Sequence, residues 1–594
     1  STFTLSKLGN GTLTLSGANT YTGATTVSAG TLNIQNNTAL GNGTAGTTVA
    51  ASAALELQGG ITANNGTLTI NGTGFGGNGA LRSVSGANSW NNNITLGSAA
   101  TITSSTSGKL LTIGNYTTNT VTMGSNTLTV DGAGDIKFKA NVGASGNSGG
   151  FIKNGSGTTT FNGDNNFYTG TTTVNLGTLV LDTLNGPVDN AILGNLLIGT
   201  GGAGGADSVV VLYGTGSAND KISNTSQVTI NSDGKLDLNS KVDTIGSFVL
   251  NGGHIDTGSG GLLTLNGNIT TNTNAANRTA LIDGHLDLNN ATRTFTVANG
   301  GLTSDLTVNA VITSGSIIKA GTGVMTITSD NTIGYGGTTT VSAGVLNIQD
   351  SNALGQHGTS DPTKGTTVNS GAALQLQKNT TDLTIGAEAI TLNGTGVSND
   401  GALRNITGNN TLSGTVSLGS TSRINTDSGS LAISGDFTGT TQSLYVGGAA
   451  NTTLSGSIGT GSGGVIKDGS GTLTLSGTTT SAFSGGLSVN DGTVILNKTA
   501  NLNASGNGAV TIGDGSGGAN TAVLQLNQNE QISNAAAVTI NADGKFDLNG
   551  HTETIGTLAG TGSGTLAIGS GALIEGTSSS TSFSGSVTGT GSLT

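Results

Sequence analysis

Residues 8–34, LGNGTLTLSGANTYTGATTVSAGTLNI, return three more times in altered form: as KNGSGTTTFNGDNNFYTGTTTVNLGTLVL from Lys153, as KAGTGVMTITSDNTIGYGGTTTVSAGVLNI from Lys319 and as KDGSGTLTLSGTTTSAFSGGLSVNDGTVIL from Lys467. A chain that repeats itself on this scale has to stack like units on one another, because each unit contacts mainly its neighbours. Each copy is a short alternating run, a corner rich in Gly, Asn, Asp, Ser and Thr, a second run, a turn glycine and a third run. Leu13 and Leu15 recur as Leu32 and Ile34, 19 positions later, and Thr159 and Phe161 recur as Leu179 and Leu181, 20 later. Met325 to Leu346 and Leu473 to Val494 are both 21. Residues two apart in a strand share a face. An inward pair that returns after about 20 residues is what one turn of a β-solenoid produces. The expected fold is therefore all-β, a parallel β-helix with about 20 residues per coil.

The copies are not equivalent. AALELQ and GALRSVSGANSWNNNITLGS follow the first, and AALQLQ and GALRNITGNNTLSGTVSLGS follow the third. The second and fourth share another sequel, VTINSDGKLDLNSKVDTIG and VTINADGKFDLNGHTETIG. This order, A-B-A-B, implies that a larger block duplicated. The expected organisation is one continuous β-helix in blocks of about 1–150, 151–316, 317–464 and 465–594. The closing FSGSVTGTGSLT matches the approach to a repeat lysine, and the opening STFTLSK looks like that approach under way. The expectation from this phase is a segment of a longer solenoid, or a unit that associates end to end.

Composition narrows the class. Glycine stands at 104 residues with two prolines, Pro187 and Pro362, and no G-X-Y period, so neither collagen nor a Pro-rich linker fits. Charged residues are 8% and hydrophobic ones 33%, much of the latter at period two, which argues against a charge-rich disordered chain. A net charge of −12 argues against nucleic acid as a partner, since that needs a basic patch. No apolar run is long enough for a membrane-spanning helix, and residues 1–10 lack a signal-peptide layout. Cysteine is absent, which excludes disulfide scaffolds and thiolate metal sites.

The stretch GTLTLSGANTYTGATTVSAGTLNIQNNTALG, residues 11–41, closely resembles the passenger-associated transport repeat of type V autotransporters, also called the autotransporter-associated β-strand repeat. The matching features are G-x-L-x-L-x-G-x-N-x-Y-x-G, then T-x-V-x-x-G-x-L. Their positions in the first copy include Leu13, Leu15, Tyr21, Gly23, Gly30 and Leu32. The lysines that open the later copies are Lys153, Lys319 and Lys467, the corner aromatics Tyr168, Tyr335 and Phe483, and the turn glycines Gly177, Gly344 and Gly492. Copy four departs most, with a corner two residues longer and Ser481-Ala482 where copy one has Asn19-Thr20. The resemblance implies a secreted right-handed parallel β-helix whose repeats aid export and folding, at the cell surface or outside a Gram-negative-type bacterium. Adhesins, stalks and fibres are among the relatives. No C-terminal translocator barrel is visible, since nothing near Thr594 shows an aromatic-girdled set of strands.

Patterns that carry chemistry elsewhere read as structure here. GTGGAG, residues 199–204, matches G-x-G-x-x-G, but glycine is so common that about three matches arise by chance, and no helix follows. GNSGG, residues 146–150, lacks the strand-to-helix context of a nucleophile elbow. His254, His285, His357 and His551 are far apart, so no zinc site is expected. GGAGGADSV and GDGSGGANT are single imperfect copies of a calcium nonapeptide turn, which works only in tandem. Asp233 with Asp237, and Asp543 with Asp547, resemble paired carboxylates, yet an Asp-Gly turn entering a strand with one outward Asp explains them more simply. No cofactor, metal or catalytic residue is expected. The expected function is a structural β-helical stalk or adhesin-like passenger whose surface or host ligand is unidentified. Alternatives are a self-assembling fibre and a carbohydrate-active β-helix enzyme.

Overall fold

A computed structural model describes residues 2–115, 118–183, 190–202, 204–216, 219–355, 364–577 and 579–594. Pro187, Pro362 and His357 lie outside them. The chain forms two compact units, Ser1–Asn289 with Gly300–Val311, and Asn290–Asn299 with Ile312–Thr594. Both are parallel β-solenoids. Helical structure among the described residues is confined to short 3-10 turns such as Phe75–Gly77 and Val397–Asn399. Among the described residues no helix is long and apolar enough to cross a membrane.

The stacking inferred from recurrence is borne out residue by residue. Strand Thr12–Leu15 pairs in parallel with Gly30–Ile34, placing Leu13 on Leu32 and Leu15 on Ile34. Thr159 pairs with Leu179, Phe161 with Leu181, Met325 with Leu346 and Leu473 with Val494. In the first unit one inward column runs Leu32, Leu55, Leu81, Ile102 and Val130. In the second, another runs Leu412, Ile433, Leu454, Leu475, Leu496 and Leu526. All are buried, and each such side chain contributes about 1.5–3 kcal/mol. Because strand partners are supplied by the next coil, backbone polar groups are satisfied as the coil is laid down.

The turn spacing is about 22 residues rather than 20. The copies themselves are tight coils. Some coils outside them carry longer corners, as where Ile198 pairs with Ile230, 32 positions on, while others stay tight, as where Ile230 pairs with Leu250, 20 on. Strands among the described residues are mostly three to six residues; the two longest, Ile94–Ser104 and Val416–Thr426, have 11. Each bends midway and so pairs with two strands of one neighbouring coil. Ile94–Ser104 meets both Leu68–Gly72 and Leu81–Ser85, with a register shift between Leu96 and Ala100. Both long strands fall at equivalent places in the two A blocks.

Candidate functional site: the repeat corners

The feature that recurs in all four copies is a buried lysine at the end of an inward strand. Lys153 takes its place between Val130 and Val174, Lys319 between Phe295 and Val341, and Lys467 between Val446 and Val489. Lys7 occupies the equivalent position beside Val27. All four are at most 6% exposed. The aliphatic stem fills the core column while the ammonium reaches the corner, the usual compromise for a long charged side chain.

What meets the ammonium is backbone. Lys319 Nζ donates to the carbonyls of Ala320 (3.2 Å), Gly321 (2.8 Å) and Ala343 (2.9 Å). Lys7 donates to Leu8, Gly9 and Ala29, and Lys467 to Asp468, Gly469 and Asp491. Lys153 donates to Gly155 and to Leu176, the latter at 2.7 Å. In each case the last-named carbonyl comes from the following coil, immediately before the turn glycine: Gly30, Gly177, Gly344 or Gly492. The lysine therefore ties the corner it enters to the corner of the next coil. Burial pushes the ammonium groups of Lys153 and Lys467 down to about 8.

The turn glycines are required by the same contact. Gly30, Gly177, Gly344 and Gly492 have φ of 64°, 69°, 65° and 70°, in the left-handed region. A Cβ on Gly344 would meet the carbonyls of Gly321 and Gly323 at 2.6 Å. Only a residue without a side chain can roof the carbonyls that the lysine binds. Gly23 answers to a different pressure, close approach to the backbone at Phe3, to whose carbonyl it donates at 3.1 Å.

The corner aromatic is fixed by a hydroxyl four residues on. Tyr21, Tyr168 and Tyr335 place their OH 2.7 Å from the Oγ1 of Thr25, Thr172 and Thr339. Tyr168 and Tyr335 are buried, which pushes both phenols far up; Tyr21 is half-buried and raised as well. In copy four both members change together: Phe483 replaces the tyrosine and Leu487 the threonine, and both are buried. Removing both partners of a buried hydrogen bond leaves no orphan, whereas removing one does. An asparagine completes the corner. Asn166 Oδ1 accepts the Val142 N–H of the preceding coil at 2.8 Å, and its Nδ2 donates to the Ala191 carbonyl of the following one at 3.0 Å. Asn331 does the same with Ile312 and Ala353, and Asn19 donates to Ala39. Copy four has Ser481 here, too short to span three coils, and its hydroxyl is buried without a partner.

Leu13 and Leu15 are the less enclosed members of the set: Leu13 is 36% exposed, Leu15 half-buried, and Leu32 fully buried. The lysine partners, the asparagine bridge and the threonine of the Tyr–Thr pair escaped sequence reasoning. The joint Tyr-to-Phe and Thr-to-Leu change in copy four was the available signal for the last.

The two Asp pairs separate. Asp233 is buried and accepts the N–H groups of Thr200 (3.1 Å) and Gly201 (2.9 Å), which hold its carboxyl below the usual range against its own desolvation. The glycine-rich run from Gly199 thus cradles an internal carboxylate. Asp543 is held in the same way by Asp514 and Gly515. Asp237 and Asp547 point outward and pair with Lys235 (3.1 Å) and Lys545 (2.8 Å). Ser148 of GNSGG is exposed in a corner. Among the described residues, no three His, Cys, Asp or Glu side chains gather closely enough for a metal ion.

The B blocks also bury a carboxyl that sequence reasoning passed over. Glu553 accepts the N–H groups of Gln531 (2.7 Å) and Ile532 (3.0 Å), and desolvation pushes it up to about 8. Its counterpart Asp243 accepts those of Lys221 and Ile222 and the Tyr213 hydroxyl, and is raised by burial too. A groove of about 490 Å³ in the second unit is lined by Asn501, Asn503, Glu530, Ile532, Ser533 and Asn534. Glu530 is the single carboxylate in that lining; the Glu553 carboxyl is turned onto backbone amides. The geometry of two carboxylates flanking a sugar bond is not assembled there.

Comparison with known proteins agrees with the corner geometry. The passenger-associated-transport-repeat family matches residues 5–34, 151–181, 317–348 and 465–496, the four segments that carry the lysine, the aromatic and the turn glycine. The chain is 31% identical over 175 residues to "Adhesin BmaC autotransporter" of Brucella suis biovar 1 (strain 1330). That match covers 30% of this chain and 4% of the relative. No solved structure matches. The chain carries four passenger-associated transport repeats on a parallel β-solenoid, and in this it is similar to autotransporter passengers.

Proposed function

We propose that the chain is part of an exported bacterial surface passenger, a non-enzymatic β-solenoid that presents or spaces adhesive surface outside a Gram-negative cell. The observation that carries this reading is the coincidence of the four family-matched segments with four equivalent buried lysines. In that role the repeats are folding stations: the residues that define the family are those that join one coil to the next. The absence of cysteine suits a chain that crosses a membrane unfolded. The similarity to an adhesin autotransporter supports an adhesive surface as the setting.

The test is display. The chain is placed between a secretion signal and an outer-membrane translocator barrel in a Gram-negative host, and intact cells are probed with antibody and protease. Surface exposure of a protease-resistant product is expected. Retention in the periplasm, or exposure only as a degraded chain, would overturn the reading.

A further inference from the structure

One outward face of the first unit carries a ladder of charge that is not repeated on the equivalent strands of the second unit. Val210, Lys235, His254 and Leu281 follow one another in register on four successive strands. Beside them Asp237, Asp256 and Asp283 are stacked directly over one another. Carboxylates one strand spacing apart, about 4.8 Å, repel unless cations lie between them. Lys235 bonds to Asp237 (3.1 Å) and Asp256 (2.9 Å). His254 serves the upper part of the ladder: Nε2 lies 2.7 Å from Asp283 and Nδ1 lies 3.0 Å from Asp207.

Two carboxylates, one on each ring nitrogen, set the protonation state. A neutral imidazole has one N–H and one lone pair, so it can serve one acceptor and must turn its lone pair on the other. Only the imidazolium satisfies both. Asp207 precedes strand Val209–Tyr213, is 40% exposed at its side chain and has a left-handed φ of 56°. Asp283 is held independently by Asn309 Nδ2 at 2.7 Å. Of the two links, the one to Asp207 therefore gives way when the proton leaves.

We propose that His254 is a proton-operated tie on the surface of the first unit: charged, it joins Asp207 to Asp283 across four strands and holds the segment before Val209 onto the solenoid; neutral, it lets Asp207 go. The groups that face it are Lys235 and Asp237 from one neighbouring strand, Asp283 from the other, Asp256 on its own strand and Asp207 from the segment above. Arg278 lies close by, donating to the carbonyls of Ser232 (2.7 Å) and Gly204 (3.0 Å). Four carboxylates against Lys235 and His254 leave an acidic surround that keeps the imidazolium beyond its ordinary range, against the opposing effect of burial. A raised folded-state pKa means that the tie is complete below the ordinary histidine value and is lost as pH rises through the higher one. The second unit supplies an internal control. The residue in register with Lys545, where His254 would stand, is Thr565, and Ala567 stands where Asp256 does.

Amide hydrogen exchange of the intact chain between pH 5.5 and 9, corrected for intrinsic rates, tests this. Protection of the peptide covering residues 207–213 is expected to hold at low pH. Above a midpoint higher than about 6.5 it should fall by up to about tenfold per pH unit, as release of one proton requires. The counterpart peptide, residues 520–526, should show no such step, and His254→Gln should remove it, with Asp207→Asn doing the same should the first variant fold poorly. A step that persists in both variants, or appears equally in the two peptides, overturns the proposal.

Discussion

The Tyr168–Thr172 pair offers a test of how the repeat corner is held. Both residues are fully buried, and the phenol and hydroxyl oxygens are 2.7 Å apart. The ring packs near Phe151 and Phe161, with centroids 6.3 and 6.5 Å away. Tyr168→Phe keeps those contacts and leaves the Thr172 hydroxyl without its partner, at a cost of about 1–3 kcal/mol. Thr172→Val strands the phenol instead, with a similar cost. The double variant strands neither group and should cost about 1 kcal/mol or less, so the coupling energy is at least about 1 kcal/mol, about fivefold or more in the unfolding equilibrium. Trp90, the one tryptophan of the chain, is buried in the same unit and reports its unfolding by fluorescence in guanidinium. Additive single costs, with no coupling, would refute the claim that copy four exchanged Tyr and Thr for Phe483 and Leu487 as a pair.

Other perturbations follow from the same corners. Lys319→Met keeps the stem but leaves carbonyls of Ala320, Gly321 and Ala343 without the ammonium; a loss of about 3–5 kcal/mol is expected by chemical denaturation. Gly344→Ala forces a side chain into a left-handed corner and against two carbonyls, and should cost at least about 1–2 kcal/mol; Gly371→Ala, also left-handed but with open space around it, should cost less. The buried carboxyl and ammonium of the second unit give opposite pH slopes. Glu553, raised to about 8, stabilises fully below its ordinary range near 4.5 and loses that contribution as pH rises to 8. Lys467, lowered to about 8, stabilises fully above its ordinary 10.5 and loses the contribution as pH falls through 8. Midpoints measured against pH should therefore flatten between 4.5 and 8 in Glu553→Gln, and the rise above 8 should vanish in Lys467→Met.

Much of this architecture was legible in the sequence because a solenoid writes its tertiary contacts as a period. Leu13 over Leu32 and Met325 over Leu346 needed only counting. Coil length was harder, since corners absorb insertions without disturbing the strand columns: Ile198 and Ile230 are as well stacked as Leu13 and Leu32. The polar interior was illegible for a different reason. Lys153, Asn166 and Glu553 look like surface residues by type, and what buries them are backbone groups supplied by neighbouring coils, which no side-chain pattern records. The charge ladder around His254 was equally hidden, because Asp207, His254 and Asp283 lie 47 and 29 positions apart.

The lysine clamp has a consequence for the order in which the chain winds. Each ammonium finds part of its cage within two residues, but the remaining carbonyl arrives 22 to 24 residues later, with the next corner. A chain halted between those two events carries a half-dressed cation at its growing tip. Winding that stops there is penalised and winding that reaches the next glycine is not, so the solenoid advances at these stations in whole turns, like a ratchet with one tooth per repeat.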